Sequence, residues 1–177
     1  MSERYAGRGA VCVEDAMGPK EQPMHPNAQL LEQLFSSLNR KDDKSMAACY
    51  HPQATFHDIA FDLRGRQAIH DMWRMICAGD IHATYEVVQV DDKRGRVKVI
   101  DEYTFGDTGR KVRNVIVSQF AFEDHLIADQ HDDCDPKAWG EMAIGGVGGF
   151  LAGRVGAVRR FKADRKLRKF VTTHAAN

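Results

Sequence analysis

Three runs rich in β-branched and aromatic residues, Thr84 to Val90, Val97 to Phe105 and Val112 to Phe122, follow one another with only short polar turns between them. Such runs read as strands. The turns Asp91-Asp-Lys-Arg-Gly95 and Gly106-Asp-Thr-Gly109 are hairpin signals, so neighbouring strands pair antiparallel. Leu126 to Asp133, after the tight Glu123-Asp-His125 turn, extends the meander by one more strand.

Upstream, the apolar period changes. From Asn27, read as an N-cap, Leu30, Leu31, Leu34, Phe35 and Leu38 recur at helical spacing. The polar run Asn39 to Asp43 breaks this helix, and Met46, Ala47, Cys49 and Tyr50 suggest a short second one closed by Pro52. Ala54 to Asp58 then reads as a short strand. After the turn at Arg64-Gly65-Arg66, Ala68, Ile69, Met72, Trp73 and Ile76 keep a 3.6 period, predicting a third helix to about Ala78 that Gly79 stops. Helices early and an antiparallel meander late predict an α+β architecture, with helices on one face of a curved sheet.

At 177 residues the chain fits one domain with extensions. Residues 1–26 read as an irregular leader, 27–140 as the folded domain, and 141–177 as a Gly-rich segment followed by a basic, helical extension. Four cysteines (Cys12, Cys49, Cys77, Cys134) show no paired spacing, so reduced thiols and a cytoplasmic location are expected. No run approaches the roughly 18 consecutive apolar residues that a membrane span requires. The formal net charge of zero conceals a division. Between Arg154 and Lys169 eight basic residues face one acid, Asp164, which leaves the remainder of the chain acidic.

Alternation along the strands places Val97, Val99, Asp101, Tyr103 and Phe105 on one face, and Asn114, Ile116, Ser118, Phe120 and Phe122 on one face of the next strand. A carboxylate on an apolar face must be paired, hydrogen-bonded or protonated, and is then a candidate acid or base. A bulge that flipped the alternation would instead leave Asp101 in solvent. The cluster Asp129, His131, Asp132, Asp133 and Asp135 invites a metal. However, Asp129, His131 and Asp133 share one face about 7 Å apart and Asp132 takes the other, so no metal is expected.

The stretch Tyr50-His-Pro-Gln-Ala-Thr-Phe-His-Asp58, followed by Leu63-Arg-Gly-Arg-Gln-Ala-Ile-His-Asp-Met-Trp73, resembles the opening of the NTF2-like superfamily, in its SnoaL-like branch. That resemblance implies a cone: a strongly curved antiparallel or mixed sheet with helices packed on its concave face. It also implies a pocket for a small hydrophobic ligand, no cofactor, and a homodimer. Asp58 falls where ketosteroid isomerases carry their proton-shuttling aspartate, but that family's two oxyanion donors align with Leu34 and Ser118. Asp101 and Asp132 fall on the two catalytic aspartates of limonene-epoxide hydrolases, with Gly109-Arg110 and Phe120 keeping the spacing between them. Val99 replaces the arginine of that family, and Phe56 and Asp58 replace its tyrosine and asparagine. SnoaL-like cyclases ask for one positioned base, which Asp58, Asp101 or Asp132 could supply. The exit Asp132-Asp-Cys-Asp-Pro136 followed by Trp139 resembles that branch's common ending, with Asp133 and Cys134 in place of two aromatics.

The expected catalytic residues are therefore Asp58, Asp101 and Asp132. Phe56, Trp73, Val99, Tyr103, Asn114, Ile116, Ser118, Cys134 and Trp139 are expected to line the pocket. An aspartate-dependent isomerase, cyclase or hydrolase is the first reading, and a non-catalytic binding or association module the alternative. His57 is expected on the outer face, and His70 and Asp71 on the surface. The glycine run from Gly145 to Gly153 has no GKS or GKT after it and does not suggest nucleotide binding. The basic tail, from Val155 to Val171, could rest on anionic lipid or nucleic acid, or pack across its own acidic body or a dimer mate. The second is favoured, with no nucleic-acid partner expected and a membrane-surface role the lesser reading.

Overall fold

The computed structural model describes residues 24–146 and 156–174. The leader over residues 1–23, the thiol of Cys12 and most of the glycine run lie outside the described residues.

Six strands form one sheet: β1 (Tyr50–His57), β2 (Asp62–Arg64), β3 (His82–Val90), β4 (Arg94–Phe105), β5 (Arg110–Glu123) and β6 (Leu126–Cys134). Their order is β2-β1-β6-β5-β4-β3. The β3 to β6 meander is antiparallel throughout, and β1 joins its far edge parallel to β6. The sheet is therefore mixed, and the α+β expectation holds.

Helices α1 (Pro26–Arg40), α2 (Asp43–Ala48) and α3 (Arg66–Cys77) precede the meander, while α4 (Pro136–Ala143) and α5 (Gly156–His174) follow it. The stripe Leu31, Leu34, Phe35 and Leu38 of α1 is buried, as are Ile69, Met72 and Trp73 of α3. These side chains meet the inward residues Val97, Val99, Ile116, Phe120 and Phe122 of β4 and β5 in a single core. Phe35 stacks on Tyr85 at 4.8 Å between centroids and meets Phe120 edge-on at 6.4 Å. Gly95 makes this approach possible, since a Cβ there would stand 3.0 Å from the Phe122 ring and 3.2 Å from a Leu31 methyl.

Several boundaries differ from the sequence expectation, each for a local reason. His25, not Asn27, caps α1 through its Nδ1, while Asn27 Nδ2 donates to Asp91 O at 2.8 Å and ties the helix to the β3–β4 turn. Cys49 and Tyr50 do not continue α2. Tyr50 opens β1 four residues ahead of the expected start, because Ile127 N–H donates to Cys49 O (2.9 Å) and pairs this segment with β6. β2 and α4 were not expected from the periodicity, because each is too short to carry a full period. Asp135 caps α4 by accepting from Lys137 N–H, with Pro136 in the first turn.

The basic segment is the helix α5, and it lies on the chain's own body. Leu167 is buried in the main core cluster, and Arg74 of α3 stands 5.9 Å over the Phe170 ring and donates to His174 O at 3.1 Å. Lys166 Nζ reaches Asp107 Oδ1 at 2.9 Å.

Candidate functional site

The register of the meander puts the polar residues of three strands on the concave side. Asp101 sits opposite Ala83 on β3 and Asn114 on β5, and Asp132 sits opposite Ser118. The alternation of β4 runs unbroken through Asp101, so the side chain faces inward. Its Oδ1 is sealed from solvent and has no hydrogen-bond partner.

Asp132 is supported very differently. Gln130 Nε2 donates to both of its oxygens, at 3.0 and 3.1 Å, and the Ser118 hydroxyl donates to it as well. Gln130 Oε1 in turn accepts a short hydrogen bond from Tyr50 Oη, and Tyr50 Oη accepts from Trp73 Nε1 at 3.1 Å. Trp73, Tyr50 and Gln130 thus form one buried chain of hydrogen bonds directed at the Asp132 carboxyl. Tyr50 is 0% and Gln130 1% exposed. Such chains fix the geometry of the group at their end.

Burial raises both carboxyls. Asp101 is pushed up to about 7 by burial and the nearby Asp132 charge, against which the Lys41 charge works in part. Asp132 rises to about 6 through burial, opposed by the Gln130 and Ser118 donors, with the Asp58 charge adding to the rise. Both carboxyls are thus held above the ordinary range, the orphaned one further than the one rich in donors. The two carboxyls sit within one electrostatic environment, since the charge of Asp132 raises Asp101.

Asp58 has a different task. Its Oδ1 accepts from the N–H of Ala60 at 2.6 Å and from the N–H of Phe61, shaping the β1–β2 connection. Burial raises its pKa, while those two backbone donors oppose the rise. Its charge reaches Asp132, Tyr103 and Cys134, so the three expected aspartates share one field although none hydrogen-bonds another.

The expected lining residues divide by position. Phe56, Trp73, Val99, Asn114, Ile116 and Ser118 are buried, and Phe56 meets Trp73 edge-on at 5.8 Å between ring centroids. Cys134, half-buried, is hydrogen-bonded to Asn114. Trp139 comes from α4, donates from Nε1 to Tyr103 Oη at 2.8 Å and packs against Phe105 at 5.5 Å, closing the end of the sheet where β4 leaves it. Burial raises the thiols of Cys49 to about 12 and Cys77 to about 11, and that of Cys134 also upward, so none is primed as a nucleophile.

Tyr50 and Gln130 support the Asp132 carboxyl and the Lys41 charge acts on Asp101, and none of the three was expected there. Gln130 could have been found, as a polar residue alternating with Asp132 toward the apolar face. Tyr50 was hidden by its assignment to a helix end.

A polar cleft of about 170 Å³ opens between the ends of β1 and β6 and the start of α5, lined by His57, Asp58, Ile59, His131, Asp132, Asp133, Gly156 and Arg160. It adjoins Asp58 and Asp132 but not Asp101. His57 stacks on His131 at 5.0 Å between rings, and Arg160 reaches His57 Nε2 at 3.2 Å. His70 is no loose surface group, since its Nε2 lies 2.7 Å from Asp43 Oδ2 and links α3 to α2. Among the described residues no three His, Cys, Asp or Glu side chains stand where one ion could be held. No described helix is long and apolar enough to cross a membrane.

Solved structures of the same fold are numerous. TsrD from Streptomyces laurentii matches 71% of this chain and 100% of its own at 21% identity, with a TM-score of 0.58. An LEH-like epoxide hydrolase of M. tuberculosis matches 75% of this chain and 95% of its own at 17% identity (TM-score 0.55). A putative polyketide cyclase from Xanthomonas campestris pv. campestris matches 60% and 88% at 15% identity (TM-score 0.52). At these identities the likeness shows the NTF2-like cone alone. Comparison with curated proteins finds no match. The SnoaL-like domain family matches residues 31–130, from the buried stripe of α1 to the Gln130 that supports Asp132, and the chain belongs to that family.

Proposed function

We propose that the concave face binds a small hydrophobic ligand and that the chain acts on it by proton transfer, with Asp132 as the base and Asp101 as the acid. The observation that carries this reading is the unequal support of two buried carboxyls. Asp132 has the Gln130 and Ser118 donors, and Asp101 Oδ1 has none. Asp132 ionised can remove a proton from carbon or from water, and Asp101 protonated can deliver one to a leaving or enolising oxygen. Isomerase and hydrolase chemistry can use that pair, and a cyclase needs only the base. Asp58, spent on two backbone N–H groups, shapes the field and stands behind Asp132 in this scheme.

A homodimer through the outer face of the sheet is part of the same proposal. It is supported by Val115, an apolar residue 57% exposed on β5. Sedimentation velocity reads it directly.

Turnover decides the enzymatic part. A panel of small apolar epoxides, conjugated ketones and β-keto esters is screened with the full chain and with Asp132→Asn and Asp101→Asn. Any turnover found should fall by about 10²-fold or more in each variant, the usual contribution of a positioned acid or base. Turnover unchanged in both would overturn the assignment. Ligand binding without turnover across the panel would favour the non-catalytic binding module.

A further inference from the structure

We propose that Lys41 is the ligand-binding cation of the cone, and that the ligand is an apolar molecule carrying an oxyanion, a carboxylate or an ionised enol, received between Lys41 Nζ and Asp101. The proposal rests on the concave face being the ligand site, as argued above.

Lys41 follows the last turn of α1 in the left-handed conformation (φ 62°), held by its own N–H donating to Leu38 O and Ser37 O. It lies seven residues beyond Leu34 and three beyond Leu38, at the end of the buried stripe that α1 turns toward the sheet. The α1 terminus is fixed against β3, since Asn39 Nδ2 donates to Ala83 O and Asn39 Oδ1 accepts from Ala83 N–H, both at 2.8 Å. Ala83 is the register partner of Asp101. The helix end that carries Lys41 is therefore anchored beside the strand position that carries Asp101.

Lys41 Nζ is sealed from solvent and donates to nothing. Lysines usually reach outward, so that the stem is covered and the ammonium stays wet. A buried ammonium without a partner is costly, and so is a buried carboxyl oxygen without one. Both occur here at one end of the interior, and the charge of one is felt by the other without an ion pair between them. At a pH where Asp101 keeps its proton, the carboxyl and the ammonium both donate and share the need for an acceptor. A negatively charged oxygen satisfies both, whereas a hydrocarbon satisfies neither and an amine repels one.

Isothermal titration calorimetry of the full chain at pH 6, with 2-naphthoate and with the neutral 2-naphthalenemethanol, tests the inference. The naphthoate should bind about tenfold tighter or more, as expected for a hydrogen bond between buried charged groups. Lys41→Met should remove the difference and leave the alcohol's affinity in place. Lys41→Arg should keep most of the difference, and Lys44→Met, at an exposed lysine of α2, should keep all of it. Equal binding of the two probes by the unaltered chain would overturn the oxyanion reading and leave the ligand site standing. The difference surviving in Lys41→Met, or vanishing equally in Lys44→Met, would overturn the role of Lys41. Binding of neither probe would overturn the ligand site and this inference together.

Discussion

Tyr50 holds its place through one hydroxyl with two obligations, accepting from Trp73 Nε1 and donating to Gln130 Oε1. Tyr50→Phe would leave an indole N–H and an amide oxygen unmet in the buried interior. It should cost about 1–3 kcal/mol in a urea unfolding titration and change the Trp73 emission. A change under about 0.5 kcal/mol would mean that the chain of donors is not formed. The aspartates make a prediction of opposite sign. The folded pKa values of Asp101 and Asp132, about 7 and about 6, lie above the ordinary 3.8, so between about pH 4 and 7 the folded chain holds protons that the unfolded chain has released. Stability should therefore be highest near pH 4 and fall as pH rises through about 7, with little further change to pH 8. Asp101→Asn should flatten that fall and raise the melting temperature at pH 8 by a few degrees. The carboxyls of Asp42, Asp80 and Asp91, held low by hydrogen bonds from Ser45, Thr104 and Lys93, lose their contribution only as pH drops below about 4, outside that window. At this scale a period of two left the direction of Asp101 open, because a bulge would have turned it outward, and the family resemblance pointed it inward. Lys41 was not legible, because a lysine in a polar run reads as solvated, and only the anchoring of α1 by Asn39 shows where it goes.

Among the elements, the meander was legible to within three residues at each strand end because each strand is long enough to repeat its period several times. β1 was not, and Pro52 is the reason. A proline argues against a strand because it cannot donate to a ladder, yet here the β1–β6 register shifts between Tyr50 and Thr55, and β2 pairs only from Thr55 onward. Pro52 and Gln53 are exposed in that interval, where no ladder bond is asked of them. The same logic of local spacing governs the α1 interface. Gly95→Ala would drive a methyl to 3.0 Å from the Phe122 ring and 3.2 Å from Leu31, both buried. Overpacking of this kind costs about 1–3 kcal/mol. The loss should appear in denaturant midpoints without a change in far-ultraviolet circular dichroism, and a neutral substitution would show that α1 can slide on the sheet.

For the molecule as a whole, the division between an acidic body and a basic final helix suggests that charge holds α5 in place, but the contacts argue otherwise. The Lys166–Asp107 pair is more than half exposed on both sides, a setting in which ion pairs contribute about 0–1 kcal/mol and salt screens them. Leu167 is 8% exposed within the main core, and Val171 packs against the same cluster. Removing a buried leucine side chain beyond Cβ costs about 2–5 kcal/mol, so the apolar contact outweighs the ionic one. Amide hydrogen exchange across α5 should therefore be nearly the same at 0.1 and about 1 M salt, where the Debye length falls to about 3 Å. In Leu167→Ala the same amides should exchange at the rate of an undocked helix while β4 and β5 stay protected. Protection lost in high salt and retained in Leu167→Ala would invert the ranking and make the basic face, rather than the buried stripe, what seats the helix on the cone.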